Sequence, residues 1–409
     1  MTHKTYQWPH SPIITVFLLA PVVFSFALAL DTYMPVILEM KTILNTSQEM
    51  VQLTLSLFFL VAGFGQLILG PLSDRFGRYK ILFISVILFF IASLLCALSN
   101  HIGWLIAFRI IQGTGACGMS VSAFAIVRDA FSGKKSAMIY SFLNAMISIS
   151  PILGPVIGAL LTAYFPWRAV FYFLAGLGAL TFALVIFFVK ESAHPNNHQP
   201  FNLSVFNRYL SICKSLTFWA YTLPAVAGVS AFFTLFSMTP YIIQTLGEPR
   251  AQISIFFGMA GGSFLIGSLI SGGIVHKLGV LKTSTLGSIL ILFSGILLII
   301  IYKSFGLSLW GFFGPSMLAT FGCALTAGSG AGGALEPFGS FPGAASAMFG
   351  AVQLGGSSII GSIATLFAIN TSYPLALAML ATSTISLVLL FALKATLKKS
   401  TLQMSNHKL

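Results

Sequence analysis

Twelve predominantly apolar runs, each of about 20 residues or more, follow one another along this chain. They fall at 14–36, 48–71, 80–99, 102–126, 137–163, 168–189, 217–243, 252–275, 281–302, 306–329, 341–369 and 373–394. A helix needs about 20 such residues to cross the hydrocarbon of a bilayer, so the pattern predicts an all-α integral membrane fold. Composition matters here in one respect. Only 7% of residues are charged and 57% are hydrophobic, whereas a water-facing surface needs roughly a quarter of its positions charged. The first run exceeds the apolar stretch of a secretory signal and no small-residue cleavage site follows it. It is expected to be kept as a helix in a chain that begins near Met1.

The few charges are placed asymmetrically. With the N-terminus on the inner side, sixteen Lys and Arg fall on inner segments, while Lys41, Arg168, Arg250 and Lys303 fall on outer ones and Arg109 alone lies within a span. This bias obeys the positive-inside rule and orients both termini toward the cytoplasm, in the cell inner membrane. The net charge of +13 then reflects topology and membrane lipid, with no nucleic acid implied.

Other chemistries find no support. The four cysteines, Cys96, Cys117, Cys213 and Cys323, lack metal-ligand spacing, so free thiols are expected. The seven histidines fall in loops, ends or tails and make no buried cluster for zinc or haem. Gly133-Lys134-Lys135-Ser136 lacks the glycine five residues upstream that a nucleotide-cradling loop requires. No cofactor, metal or ATP-driven step is expected, and no nucleophile and base are assembled as an enzyme would need.

The longest polar interval, 190–216, carries Pro195, two adjacent asparagines and Pro200. It divides residues 1–189, with six spans, from residues 217–396, with six more, and leaves a tail at 397–409. An offset of 202 places Gly70 on Gly272, Arg75 on Lys277, Gly77 on Gly279 and Lys80 on Lys282, so the halves repeat one plan. Asp74 falls on His276 and Arg78 on Val280, so the second copy has lost its acid.

A charge inside hydrocarbon costs on the order of 3 kcal/mol on insertion scales and is by default a functional hypothesis. Asp31 lies about six residues beyond the centre of the first span, roughly 9 Å, and Arg109 about five residues before the centre of the fourth, roughly 8 Å. The two opposite charges are thus predicted at one depth. Moving such a pair apart changes the proton affinity of the acid, which couples a proton gradient to conformation. Asp31 is read as the titrating group and Arg109 as its intermittent partner or a substrate anchor. The alternative is that Asp31 bonds locally before Pro35 and Arg109 is a strut.

Gln112 lies about one turn beyond Arg109 and shares its face. Gly113, Gly115 and Gly118 suit close helix approach. On the fifth span, Pro155 removes a backbone donor and bends the helix, and Gly154 and Gly158 offer a groove to a neighbour. Asn144 faces a cavity or bonds a backbone carbonyl. The inner loop from Gly70 to Lys80 is a candidate gate. Within it Gly70, Asp74, Arg75, Gly77 and Arg78 join Arg128 and Asp129 in an expected charge network between the halves, alongside Gly154, Pro155 and Gly158. Tyr33, Met34, Phe233, Phe236, Met238, Tyr241 and Met317 are candidates for an adaptable apolar pocket. Glu336 lines an inner vestibule or sits in a loop.

Several strings resemble a known family. Asp31 to Pro35, Gly70 to Lys80, Arg109 to Gly115, Gly154-Pro155-x-x-Gly158, Trp167-Arg168-x-x-Phe171, and Ala345-Ser346-Ala347 with Gln353 together resemble the Bcr/CflA drug:proton antiporters of the major facilitator superfamily. The resemblance implies two pseudo-symmetric six-helix bundles with a substrate site between them. It implies proton-coupled efflux of small drug-like molecules by alternating access, with protons and a small-molecule substrate as partners and a monomer as the working unit. By that likeness Asp31 binds proton and substrate. Thr15 to Leu30 holds no second acid, which departs from some exporters of this kind. The other readings are a dedicated exporter of a siderophore or metabolite, a proton-coupled importer, or, from another class, a membrane-embedded sensor or enzyme.

Overall fold

The computed structural model describes residues 8–192, 203–249, 251–339, 341–367 and 370–406. Lys4, Pro195, Pro200, Arg250, Lys408 and the expected start at Met1 lie outside them. Among the described residues the regular structure is helical, with no strand. Among the described residues eleven helical stretches are long and apolar enough to cross a membrane, Pro12–Ile43 and Pro342–Thr365 each counted as one, or up to twelve when Gln48–Phe64 and Gln66–Phe76, bent by 45° at Gly65, count as one span. The helices are α1 Pro12–Asp31, α2 Ile37–Ile43, α3 Gln48–Phe64, α4 Gln66–Phe76, α5 Arg78–Leu98, α6 Ile102–Ala130, α7 Gly133–Tyr164 and α8 Arg168–Phe188. They continue as α9 Leu203–Cys213, α10 Leu216–Thr245, α11 Ala251–Leu278, α12 Val280–Phe305, α13 Leu309–Leu335, α14 Pro342–Gly350, α15 Gly356–Thr365 and α16 Tyr373–Asn406.

The first span is not one helix, and its sequence says why. Ser11 caps α1 by accepting from the Ile14 amide, and Pro12 occupies the first turn, where its missing donor costs nothing. The helix ends at Asp31 because Pro35, four residues on, cannot donate to the Asp31 carbonyl and its ring crowds that oxygen. A 3-10 turn over Met34–Val36 bridges to α2. An acid within the first apolar span is thereby placed at a helix end.

The chain forms two compact units. One is Met1–Val205 with Thr239–Gly261, and the other is Phe206–Met238 with Gly262–Leu409. Inside the first, α1 packs on α6, α7 and α8, α5 on α6 and α8, and α3 on α6. Thr239–Gly261 joins this unit through α7: Ser254 donates to the Pro155 carbonyl at 3.3 Å, and Gly261 lies against Ile152.

Inside the second unit the same pairings recur with the later helices. α12 packs on α13 and α16, Ser263 of α11 donates to the Met317 carbonyl of α13 at 2.7 Å, and Ser357 of α15 donates to the Val226 carbonyl of α10 at 3.2 Å. The offset of 202 is visible in the backbone as well. Gly77 has φ 99° and ψ 149°, and Gly279 has φ 81° and ψ 163°. Both take a conformation that only glycine adopts without strain. One departure from symmetry stands out: between α14 and α15 the chain makes a π-helical turn, Ala351–Gly355, whereas α7 runs unbroken from Gly133 to Tyr164 with Pro151 and Pro155 inside it.

Candidate functional site

The break in α1 sets the first half of the site. Asp31 is buried, and its Oδ2 accepts a hydrogen bond of 2.6 Å from Ser150 Oγ of α7. Directly below, α7 presents its glycines to the break. A Cβ added at Gly154 would meet Asp31 Cβ, and one added at Gly158 would meet the Thr32 carbonyl. Only the absence of side chains allows this approach. Thr32 turns its hydroxyl back to the Leu28 carbonyl at 2.6 Å, so the free end of α1 is secured locally while Asp31 points to α7.

Arg109 forms the second half. It is wholly buried on α6. Its Nη1 donates to the Ala29 carbonyl of α1 at 2.9 Å and to Gln112 Oε1 at 2.6 Å, and its Nε donates to the Thr54 carbonyl of α3 at 3.4 Å. Gln112 passes the chain on to Ser93 Oγ at 2.7 Å. The guanidinium carbon lies 4.2 Å from the Phe58 ring centroid and 5.2 Å from that of Tyr33, a cation between two aromatic faces. Nη2 is buried without a partner among the described residues. Arg109 therefore reaches the level of Asp31 on α1, yet no ion pair joins the two in this structure. Carbonyls and an amide disperse the positive charge, and a serine holds the acid.

The other candidates for the substrate site fall out as follows. Tyr33 is buried, with its hydroxyl 3.2 Å from Thr54 Oγ1 and its ring 5.4 Å from that of Phe171; Met34 is buried beside it in the 3-10 turn. Asn144 is exposed and donates to the Tyr140 carbonyl at 2.9 Å, one turn back. Phe233 and Phe236 are buried in the second unit, Phe233 against Gly361 and Phe236 stacked on Phe232 at 4.4 Å. Tyr241 is buried in the segment that belongs to the first unit. Met238 is buried too, and Glu336 is exposed at the end of α13.

The loop charges assemble around Arg78, whose side chain is buried. It pairs with Asp74, one turn before it, and with Asp129 Oδ2 at 2.8 Å, and donates to Ser73 Oγ at 3.3 Å. Arg128 lies 3.8 Å from Asp74 and 3.6 Å from Asp129. Arg75 is exposed over the Phe76 ring, and Gly70 sits within α4 before Pro71. The described ion pairs of this network join α4, α5 and α6 inside the first unit, because one buried guanidinium collects both acids.

Sequence reasoning missed Glu191. Its carboxylate accepts from the Arg78 amide at 2.8 Å and the Tyr79 amide at 3.2 Å, which seats an anion on the N-terminus of α5. Gly77 leaves room for it, since a Cβ there would strike the carboxylate. The scarcity of acids, eight in the whole chain, was the available signal. Ser150 was missed as well, although it stands one turn before Gly154 on the same helix face.

Residues 19–335 match the family model of the Major Facilitator Superfamily. The chain belongs to this superfamily. Among curated relatives, the chloramphenicol resistance protein of Pseudomonas aeruginosa is 31% identical over 95% of this chain and 92% of its own length. The bicyclomycin resistance protein homolog of Haemophilus influenzae is 28% identical over 90% and 93%. The multidrug resistance protein MdtL of Salmonella heidelberg is 27% identical over 90% and 93%. Of solved structures, the D-xylose-proton symporter superposes with a TM-score of 0.71 at 17% identity, covering 92% of this chain and 97% of that one. The inward-facing, unoccupied bacterial homolog of the human lysosomal transporter Spinster gives 0.68 at 16%, covering 97% and 99%. The major facilitator fold, in a multi-pass membrane protein of a transporter family, follows from these matches.

Proposed function

We propose that this chain exports small drug-like molecules in exchange for protons, by alternating access, across the cell inner membrane. It works as a monomer with both termini in the cytoplasm and with residues 1–189 and 217–396 as its bundles. The relatives named for resistance to chloramphenicol and bicyclomycin and for multidrug resistance support the substrate class. The observation that carries the mechanism is the placement of Asp31: a buried carboxylate at a helix end, held by Ser150 and packed on the α7 glycines.

Protonating Asp31 removes a charge-assisted hydrogen bond from the surface where α1 and α7 touch most closely. The contact is too tight to adjust without moving a helix, so the proton state is transmitted to α7 and to Pro155 within it. Arg109, Gln112, Tyr33, Met34, Asn144, Phe233, Phe236 and Tyr241 are the proposed substrate-facing set. Arg109 Nη2, which has no partner among the described residues, is available to Asp31 or to substrate at another stage of the cycle. Gly70, Asp74, Arg75, Gly77, Arg78, Arg128 and Asp129 form the proposed gate, with Gly154, Pro155 and Gly158 as its hinge.

The test is drug-induced proton movement in energised inside-out vesicles, comparing the native chain with Asp31→Asn across a compound panel. Dissipation of the pH gradient by the native chain alone is the expected result. Equal responses from both would make Asp31 structural and end this reading of the coupling.

A further inference from the structure

Most of the apolar surface on this chain belongs to spans, where lipid covers it. Helix α9 is different. It lies in the interval between the two halves of the sequence and is too short, at 11 residues, to cross anything. Around its circumference, at about 3.6 residues per turn, Phe206, Tyr209, Leu210, Ile212 and Cys213 share one half, and Asn207, Arg208 and Ser211 share the other.

That apolar half is used in two parts. Ile212 is fully buried in a core cluster with Phe218, Phe338, Leu390 and Leu393, and Tyr209 packs against the same cluster. Among the described residues the adjoining quarter is bare: Phe206 is 62% exposed and Leu210 45%. They stand one turn apart and form a continuous strip beside the seated one.

The chain fixes where this strip lies. α9 ends at Cys213 and the spanning helix α10 begins at Leu216, so only Lys214 and Ser215 separate them. Trp219, in the first turn of α10, donates its indole N–H to the Cys213 carbonyl at 2.7 Å, tying the C-terminus of α9 to the level at which α10 leaves the bilayer. Indole rings favour that level. The charges nearby are one-sided. Residues 203–216 contain Arg208 and Lys214 and no acid, and the same end of the unit exposes Lys282 and Lys394, next to the cluster residues Leu281 and Leu393, against one acid, Glu336.

We propose that α9 is an interfacial helix, with Phe206 and Leu210 inserted at the headgroup and acyl boundary and Arg208 and Lys214 bound to anionic lipid headgroups. A short helix with a bare apolar strip and flanking cations is the form that lies in the plane of a membrane surface. The contact makes the segment between the halves sensitive to lipid charge. It does not depend on the transported substrate.

The experiment uses the full-length chain with Cys213→Ser, whose other cysteines are buried, and carries a bimane fluorophore on Phe206→Cys or, as the water-facing control, on Asn207→Cys. Each is reconstituted in vesicles of phosphatidylcholine alone or mixed with phosphatidylglycerol. Aqueous iodide is compared with a nitroxide-bearing lipid as quencher. At 206 the lipid quencher should dominate, and at 207 iodide should. Phosphatidylglycerol should raise the ratio of lipid to aqueous quenching at 206 by about fivefold for each engaged cation, and Arg208→Gln with Lys214→Gln should abolish that rise. Equal iodide access at 206 and 207 would place the helix in water. Shielding of 206 from both quenchers would mean that protein covers the strip, and a ratio indifferent to phosphatidylglycerol would remove the headgroup contact. Each of these overturns the proposal.

Discussion

At the scale of single residues, the site rests on which partner each buried charge has. A carboxylate inside a membrane protein is tolerated only with a donor, and here Ser150 supplies it. Ser150→Ala should therefore disturb coupling while leaving the packing of α7 nearly unchanged. A hydrogen bond to a charged group contributes about 1.5–3 kcal/mol, so drug-dependent proton movement should fall about tenfold or more. Vesicle assays at matched protein abundance would read this, and an unchanged rate would show that Ser150 is a bystander. Arg109 shows the opposite strategy. Its charge is spread over the Ala29 and Thr54 carbonyls, Gln112 and two aromatic rings, an arrangement that suits a planar guanidinium and not a lysine ammonium.

At the scale of helices, two backbone positions decide the geometry. Pro35 stops α1 at Asp31, so the acid sits at a break and not along a continuous helix. Gly77 stops α4 at φ 99°, and the space above it holds the Glu191 carboxylate that caps α5. Gly77→Ala meets both constraints at once. The positive-φ, extended backbone, open in practice only to glycine, alone costs about 1–3 kcal/mol, and the new methyl displaces Glu191. The variant should melt at lower temperature and transport less. Combining it with Glu191→Ala should recover part of the loss, because the collision is relieved while the backbone strain stays. Strict additivity of the two losses in thermal melts would show that they do not interact.

At the scale of the whole molecule, the expected orientation gives a direct outcome. A fluorescent protein fused after Leu409 should mature and fluoresce in cells, as it does only on the cytoplasmic side, and an exported alkaline phosphatase at the same point should stay inactive; the reverse pattern would invert the topology. The spans, the repeat at an offset of 202 and the family were legible in the residues, because hydrophobic length and charge bias act locally along the chain and leave their mark on every segment. Asp31 and Arg109 stood out by themselves, since a charge in hydrocarbon is rare for an energetic reason. Their partners did not. Ser150 is one of many serines, Glu191 follows the sixth span without a motif, and Thr54 serves Arg109 through a carbonyl that every residue possesses. The sequence by itself determined that the chain is a multi-pass membrane protein and which charges lie within its apolar spans. Only the tertiary structure decided what those charges touch, because a hydrogen bond between helices depends on which faces meet, and the sequence of either helix alone does not contain that information.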